Sequence, residues 1–150
     1  MEPIRSSYDQ LKARLEEAML LIDACSEKTL LDALRRISTS PYNPLRAYVM
    51  GEELVVAVDT FSLVNINLKE GKVRTWDDWR DRLAAAAKAA ADEVSKKLLA
   101  LILDKGEKVP PTVRRELSRI ITSIGKSEGE EFYKLLGELK SALRELSQSI

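Results

Sequence analysis

Histidine is absent from this chain, and with it the commonest general base and metal ligand of proteins. Cysteine occurs once, as Cys25, which excludes an intrachain disulfide and any multi-cysteine zinc site. Nucleophilic use of that thiol would need an activating partner, and no imidazole exists to supply it. Glycine-rich phosphate loops and CxxC pairs are missing. Bulk charge of either sign is missing too. Lysines and arginines number 24 and acids number 24, so any attraction to a polyanion has to be a local patch. The longest aliphatic run, residues 98–103, falls far short of the roughly 20 residues that span a bilayer. The opening MEPIRSSYDQ has no basic start followed by an apolar core, so no signal peptide is expected and a cytoplasmic location is. Neither a cofactor nor a membrane partner is expected.

What is present is globular in kind: 45% apolar and 32% charged residues over 150 positions, enough for one domain with a real core. Heavy use of both charges fits a heat-adapted protein. The dominant stretch is TWDDWRDRLAAAAKAAADEVSKKLLALILDK, residues 75–105, rich in the strongest helix former. Trp79, Leu83, Ala86, Ala90, Val94, Leu98 and Leu101 recur at helical spacing and form one apolar stripe. At about 1.5 Å per residue this spine is roughly 45 Å long. Thr75 and Asp78 have capping-box spacing, and Lys105 with Gly106 make a stop.

Four more helices are expected, giving helices over 5–25, 27–38, 76–105, 111–124 and 128–149. In the first, Tyr8, Leu11, Leu15, Ala18 and Ile22 share a face, and Lys12 with Glu16 form an i,i+4 pair. Ser26 is the expected cap of the second, which carries Leu30, Leu31, Leu34 and Ile37. Pro111 can open the fourth, lined by Val113, Leu117, Ile120, Ile121 and Ile124 and closed by Gly125. Ser127 with Glu130 has capping-box spacing for the fifth, striped by Phe132, Leu136, Leu139, Leu143 and Leu146. Gly137 within it suggests a close helix crossing. Between the second and third helices, STSPYNP breaks helicity. The segments RAYVM, ELVVAV, LVNINL and KVRTW then read as three or four short antiparallel strands over 45–75. The expected fold is mainly α (α+β), a single domain over 1–150: a bundle of about five helices with a small antiparallel β-sheet inserted between helices 2 and 3.

Two constellations could carry chemistry. Asp77, Asp78 and Asp81 match the DDxxD pattern with which isoprenoid synthases hold Mg²⁺ and diphosphate. Those enzymes need a longer chain and a second acidic motif, and three acids at a helix start are accounted for by the helix dipole. The chain is therefore expected not to be an enzyme. The second constellation is basic. Residues 110–126 hold Arg114, Arg115, Arg119 and Lys126 against one acid, Glu116. Arg115, Arg119, Thr122 and Lys126 stand at i, i+4, i+7 and i+11, a row that can follow a phosphate backbone without reading bases. Lys140 and Arg144 could extend it, as could Lys96 and Lys97. The plainer account is a solvated face balanced by nearby acids. Trp76 and Trp79 are expected to fill core, leaving Tyr42 and Tyr48 beside the loop into the sheet.

The order of elements, and the junction SPYNPLRAYVMGEELVVAV over 40–58, resemble the small subunit of archaeal type I-A CRISPR effector (Cascade) complexes. The resemblance runs through most of the chain in layout and contains no motif from which site residues transfer. It implies a non-catalytic subunit that self-associates along a ribonucleoprotein, beside its other subunits. There it would help hold crRNA with its target DNA, or the displaced strand. Copies aligned side by side would multiply weak patches, which suits a neutral chain. The competing reading is a helical adaptor or homo-oligomeric structural protein of an archaeal or viral assembly with no nucleic-acid role.

Overall fold

The computed structural model describes residues 3–104 and 109–149, with side chains from 8 to 104 and 109 to 146. Its elements are α1 (Pro3–Cys25), α2 (Leu30–Ser38), β1 (Leu45–Met50), β2 (Glu53–Val58), β3 (Phe61–Asn67), β4 (Val73–Thr75), α3 (Trp79–Asp104), α4 (Pro111–Ile124) and α5 (Gly129–Ser149). The fold is mainly α, with a four-stranded antiparallel sheet of order β1-β2-β3-β4 inserted between α2 and α3. The chain packs as two compact units, one of residues 1–19 and 88–150 and one of residues 20–87, so α1 and α3 each contribute to both.

In the first unit the buried residues follow the helical period. Tyr8, Leu11, Leu15 and Ala18 are buried on α1, and Ala90, Val94 and Leu98 on α3. Val113, Leu117, Ile120 and Ile124 are buried on α4, and Phe132, Leu136, Leu139, Leu143 and Leu146 on α5. Leu101 and Ile121, expected in these stripes, are only half-buried. Arg14 ties α1 to α3, donating to Glu93 at 2.6 Å as well as to Glu17 at 2.7 Å. Glu16 takes Lys140 of α5 as its ion-pair partner and not Lys12, because a partner on another helix packs against it while Lys12 faces solvent. Burial of the Tyr8 hydroxyl, which has no hydrogen-bond partner among the described residues, pushes its pKa up to about 12.

In the second unit the fully buried residues are Leu21, Ala24, Ala33, Ile37, Ala57, Val58, Leu63, Leu83, Ala86 and Ala87. Leu21 and Ala24 replace Ile22 on the inner face of α1, continuing the Leu15–Ala18 spacing one step short of it. Leu31 of α2 is 58% exposed, and the inward positions are Ala33 and Ile37. The sheet is a meander of tight turns. Gly51 (φ 62°), Asp59 (φ 56°) and Gly71 (φ 71°) supply the left-handed backbone that the three connections require. A bulge at Val56/Ala57 lets Leu63 enter the core as an extra residue on β3.

Helix ends differ from the sequence expectation by one to three residues, each for a local reason. Helix α2 begins at Leu30 and not at 27, capped by Thr29, whose hydroxyl accepts from the Asp32 amide at 3.1 Å. Ser26 instead donates to the Asp23 carbonyl at 2.6 Å and closes α1. Helix α3 begins at Trp79 and not at 76, because Thr75 pairs with Val64 as the last residue of β4. The Thr75/Asp78 capping box therefore does not form, and the stop at Lys105 and Gly106 lies outside the described residues. Helix α4 opens at Pro111 as expected. Helix α5 begins at Gly129 and not at 128, and Ser127 donates backward to the Ile124 carbonyl at 3.0 Å in place of a capping box with Glu130. The first helix extends to Pro3, two residues before the expected start.

Arg80 joins α3 to the end of α1 within the second unit. Its guanidinium donates to the Cys25 carbonyl at 3.1 Å, one of those a helix C-terminus leaves without a partner, and to the carbonyls of Glu27 and Lys28 in the link to α2 at 2.8 and 3.0 Å. The Cys25 thiol in turn donates to the Arg80 carbonyl at 3.4 Å.

Candidate nucleic-acid interface

Helix α4 is amphipathic in the strict sense. Val113, Leu117, Ile120 and Ile124 face inward at spacings of three and four, which leaves Arg114, Arg115, Arg119 and Thr122 exposed. Arg114 and Arg115 have no ion-pair or hydrogen-bond partner for their side chains among the described residues. Arg119 is different. It bridges Glu116 at 2.6 Å and Glu138 of α5 at 3.5 Å. The bonds from Arg119 hold the Glu116 carboxyl below its ordinary range, and Glu116 in turn raises the arginine. Its charge is already spent on carboxylates.

Lys126 is exposed and without a partner among the described residues, but it does not continue the row along α4. The helix ends at Ile124, and Lys126 sits in the turn that follows, its amide bonded to the Ser123 carbonyl at 3.1 Å. The i+11 spacing would hold only if the helix continued past Gly125. Lys140 is half-buried and locked to Glu16, so it does not extend the row either. Arg144 is exposed near the end of α5. Lys96 and Lys97 are paired within α3, with Asp92 at 3.0 Å and Glu93 at 3.6 Å. Of the six residues expected at a phosphate contact, Arg119 and Lys140 are engaged by carboxylates, Arg114 and Arg115 stand adjacent and exposed on the first turns of α4, Lys126 lies in the turn beyond that helix, and Arg144 lies on α5.

Between α4 and α5 lies an open groove of about 350 Å³, lined by Glu116, Lys134, Gly137, Glu138, Ser141, Ala142 and Glu145. Arg119 bridges two of its three carboxylates, Glu116 and Glu138, so with Lys134 the groove is close to charge balance and does not extend the cationic face. Gly137 opens onto it, and a Cβ there would meet nothing within 4 Å. The close helix crossing expected at Gly137 is therefore not found.

Neither tryptophan offers a free stacking surface. Trp79 is 8% exposed, with the Arg80 guanidinium 4.3 Å from its ring centre. Trp76 is half-buried, with Arg74 and Arg82 at 4.2 and 3.9 Å from its ring centre. Arg82 also bonds Asp78 at 3.0 Å and the Ser62 carbonyl at 3.2 Å, which fixes Trp76 against the sheet. Sequence reasoning missed this grouping because its members come from β4, β3 and α3. The signal present was the alternation of arginine and tryptophan from Arg74 to Arg82.

Asp77, Asp78 and Asp81 are all exposed, and Asp78 is engaged with Arg82. No cluster of three or more potential metal-ligating side chains occurs among the described residues. Cys25 is half-buried, and burial pushes its thiol up to about 11, away from the thiolate that nucleophilic chemistry uses. No described helix is long and apolar enough to cross a membrane. No protein-family model, curated protein or solved structure matches this chain.

Proposed function

We propose that this chain is a non-catalytic structural subunit of an RNA-guided interference complex, of the kind its element order resembles. It touches the crRNA–target duplex or the displaced strand through the outer face of α4. The observation that carries this reading is the exposed pair Arg114 and Arg115, unpartnered among the described residues. Two guanidiniums on a neutral chain contribute little alone, and several aligned copies multiply them.

The test is binding of fluorescein-labelled single-stranded DNA and of an RNA–DNA hybrid, read by polarisation across a salt series. Two or three phosphate contacts per chain give a slope of about −2 in log affinity against log salt. Arg114→Glu with Arg115→Glu abolishes binding, whereas Arg119→Glu, at a position already neutralised, changes it much less. A wild-type protein that binds neither probe at low salt removes the proposal.

A second reading has its own observation. The ion pairs of Arg119 and Lys140 give α4 and α5 the charge balance of a purely structural surface. Under that reading the chain is a helical adaptor or homo-oligomer with no nucleic-acid role. Assembly that ignores both salt and nuclease treatment is its signature.

A further inference from the structure

The two edges of the sheet are built differently. Strand β4 is three residues long and carries Arg74, and short, charged edges resist pairing. Strand β1 runs six residues in unbroken register with β2, without bulge, proline or lysine. Every residue from Arg46 to Met50 is exposed, with Tyr48 at 40%, Val49 at 62% and Met50 at 64%. Arg46 is the one charge on β1, and the uncharged length from Ala47 to Met50 is the kind of edge that templates another strand. The Leu45 amide is already taken by the Asn43 side chain at 2.9 Å, which leaves Arg46–Met50 as the usable length.

The midpoint of that length is Tyr48, and its pattern is complementary to itself. The strand begins with a cation, Arg46, and leads into a turn carrying Glu52. Neither side chain has an ion-pair partner among the described residues. An antiparallel copy related by a two-fold axis at Tyr48 sets Tyr48 opposite its counterpart and Ala47 opposite Val49. Each Arg46 then stands diagonally across from a Glu52, a separation of about 7–8 Å that an arginine side chain spans. One face continues without a charge. The row Val73, Ile66, Leu54, Val49 of one copy meets Ala47, Val56, Val64, Thr75 of the other.

We infer that β1 is a homodimer contact, at which two copies of this chain join their sheets into one eight-stranded antiparallel sheet. The contact is isologous and closes on itself, and the short β4 edge does not propagate it, so the product is a dimer and not a filament. The inference stands apart from the proposed nucleic-acid role, which concerns α4.

The test uses the full chain after nuclease treatment, in analytical ultracentrifugation. The wild type sediments as a dimer at about 100 µM and dissociates on dilution. Val49→Lys, at an exposed position outside the core, is monomeric with an unchanged far-UV spectrum. Arg46→Glu and Glu52→Arg each weaken dimerisation by about five- to tenfold, and the double reversal restores it. The reversal series decides the matter independently if Val49→Lys fails to fold. A wild type that stays monomeric at this concentration overturns the inference, whether or not an added extended peptide binds the edge. So does a dimer indifferent to both the lysine and the charge reversals, or an open-ended polymer.

Discussion

Removing the Arg80 guanidinium tests how the second unit is held together. In Arg80→Ala three carbonyls, that of Cys25 at the end of α1 and those of Glu27 and Lys28 in the link to α2, lose their charged donor. The Trp79 ring loses its cation as well. A hydrogen bond to a charged group is worth about 1.5–3 kcal/mol when shielded. Arg80 is exposed and water can replace it at the carbonyls, so each bond is discounted to about 0.5 kcal/mol, with a similar amount for the ring contact. The sum is about 2 kcal/mol, which for a chain of this size lowers Tm by about 4–8 °C. Arg80→Lys retains a charge but cannot reach three carbonyls from one ammonium, and it loses about half as much. Both tryptophans of the chain, Trp76 and Trp79, belong to this unit. Tryptophan fluorescence in a urea titration therefore reports its unfolding specifically, beside far-UV circular dichroism for the whole chain. An Arg80→Ala fluorescence transition within about 0.5 kcal/mol of wild type would refute the clamp.

Gly137→Ala stabilises the protein by about 0.5–1 kcal/mol, because alanine suits a helix interior and its Cβ meets nothing within 4 Å; thermal melting shows a rise of a few degrees. The Arg14 guanidinium holds the Glu93 carboxyl below its ordinary value of 4.5. The stabilisation this represents is complete above that value and is lost as pH falls through the depressed one. Arg14→Met accordingly flattens the acid limb of stability against pH, measured as urea midpoints between neutral pH and about pH 3. Cys25, with its thiol pushed up to about 11, reacts with iodoacetamide at pH 8 far more slowly than a free thiol does, and denaturation restores the ordinary rate, as mass spectrometry over time will show.

Much of the architecture was legible in the residues because burial repeats with the backbone's own period. The stripe from Leu117 to Ile124 and the one from Phe132 to Leu146 need no tertiary information to be recognised as inward faces. Turns at Gly51, Asp59 and Gly71 were marked by residues suited to a left-handed backbone. Cap assignment was less secure, for one recurring reason. Ser26 and Ser127 stand between two helices, and a hydroxyl there can cap the next helix or close the previous one. Both closed the previous one, as donors to Asp23 and Ile124. Their neighbours settled the choice, since Thr29 was available to cap α2.

Sequence alone determined the fold class, the order of elements and the inward face of every described helix but α2 in outline, because periodicity and turn chemistry are local. Which charges remain for a partner was decided only in three dimensions. Arg115 and Arg119 are equivalent as letters four apart, yet Glu116 on the same helix and Glu138 from the next engage Arg119 and leave Arg115 to solvent. Lys126 lost its place in the row to a helix end, and Lys140 to a carboxylate on α1. A side chain's charge is written in the chain, but its availability depends on groups that folding brings from elsewhere.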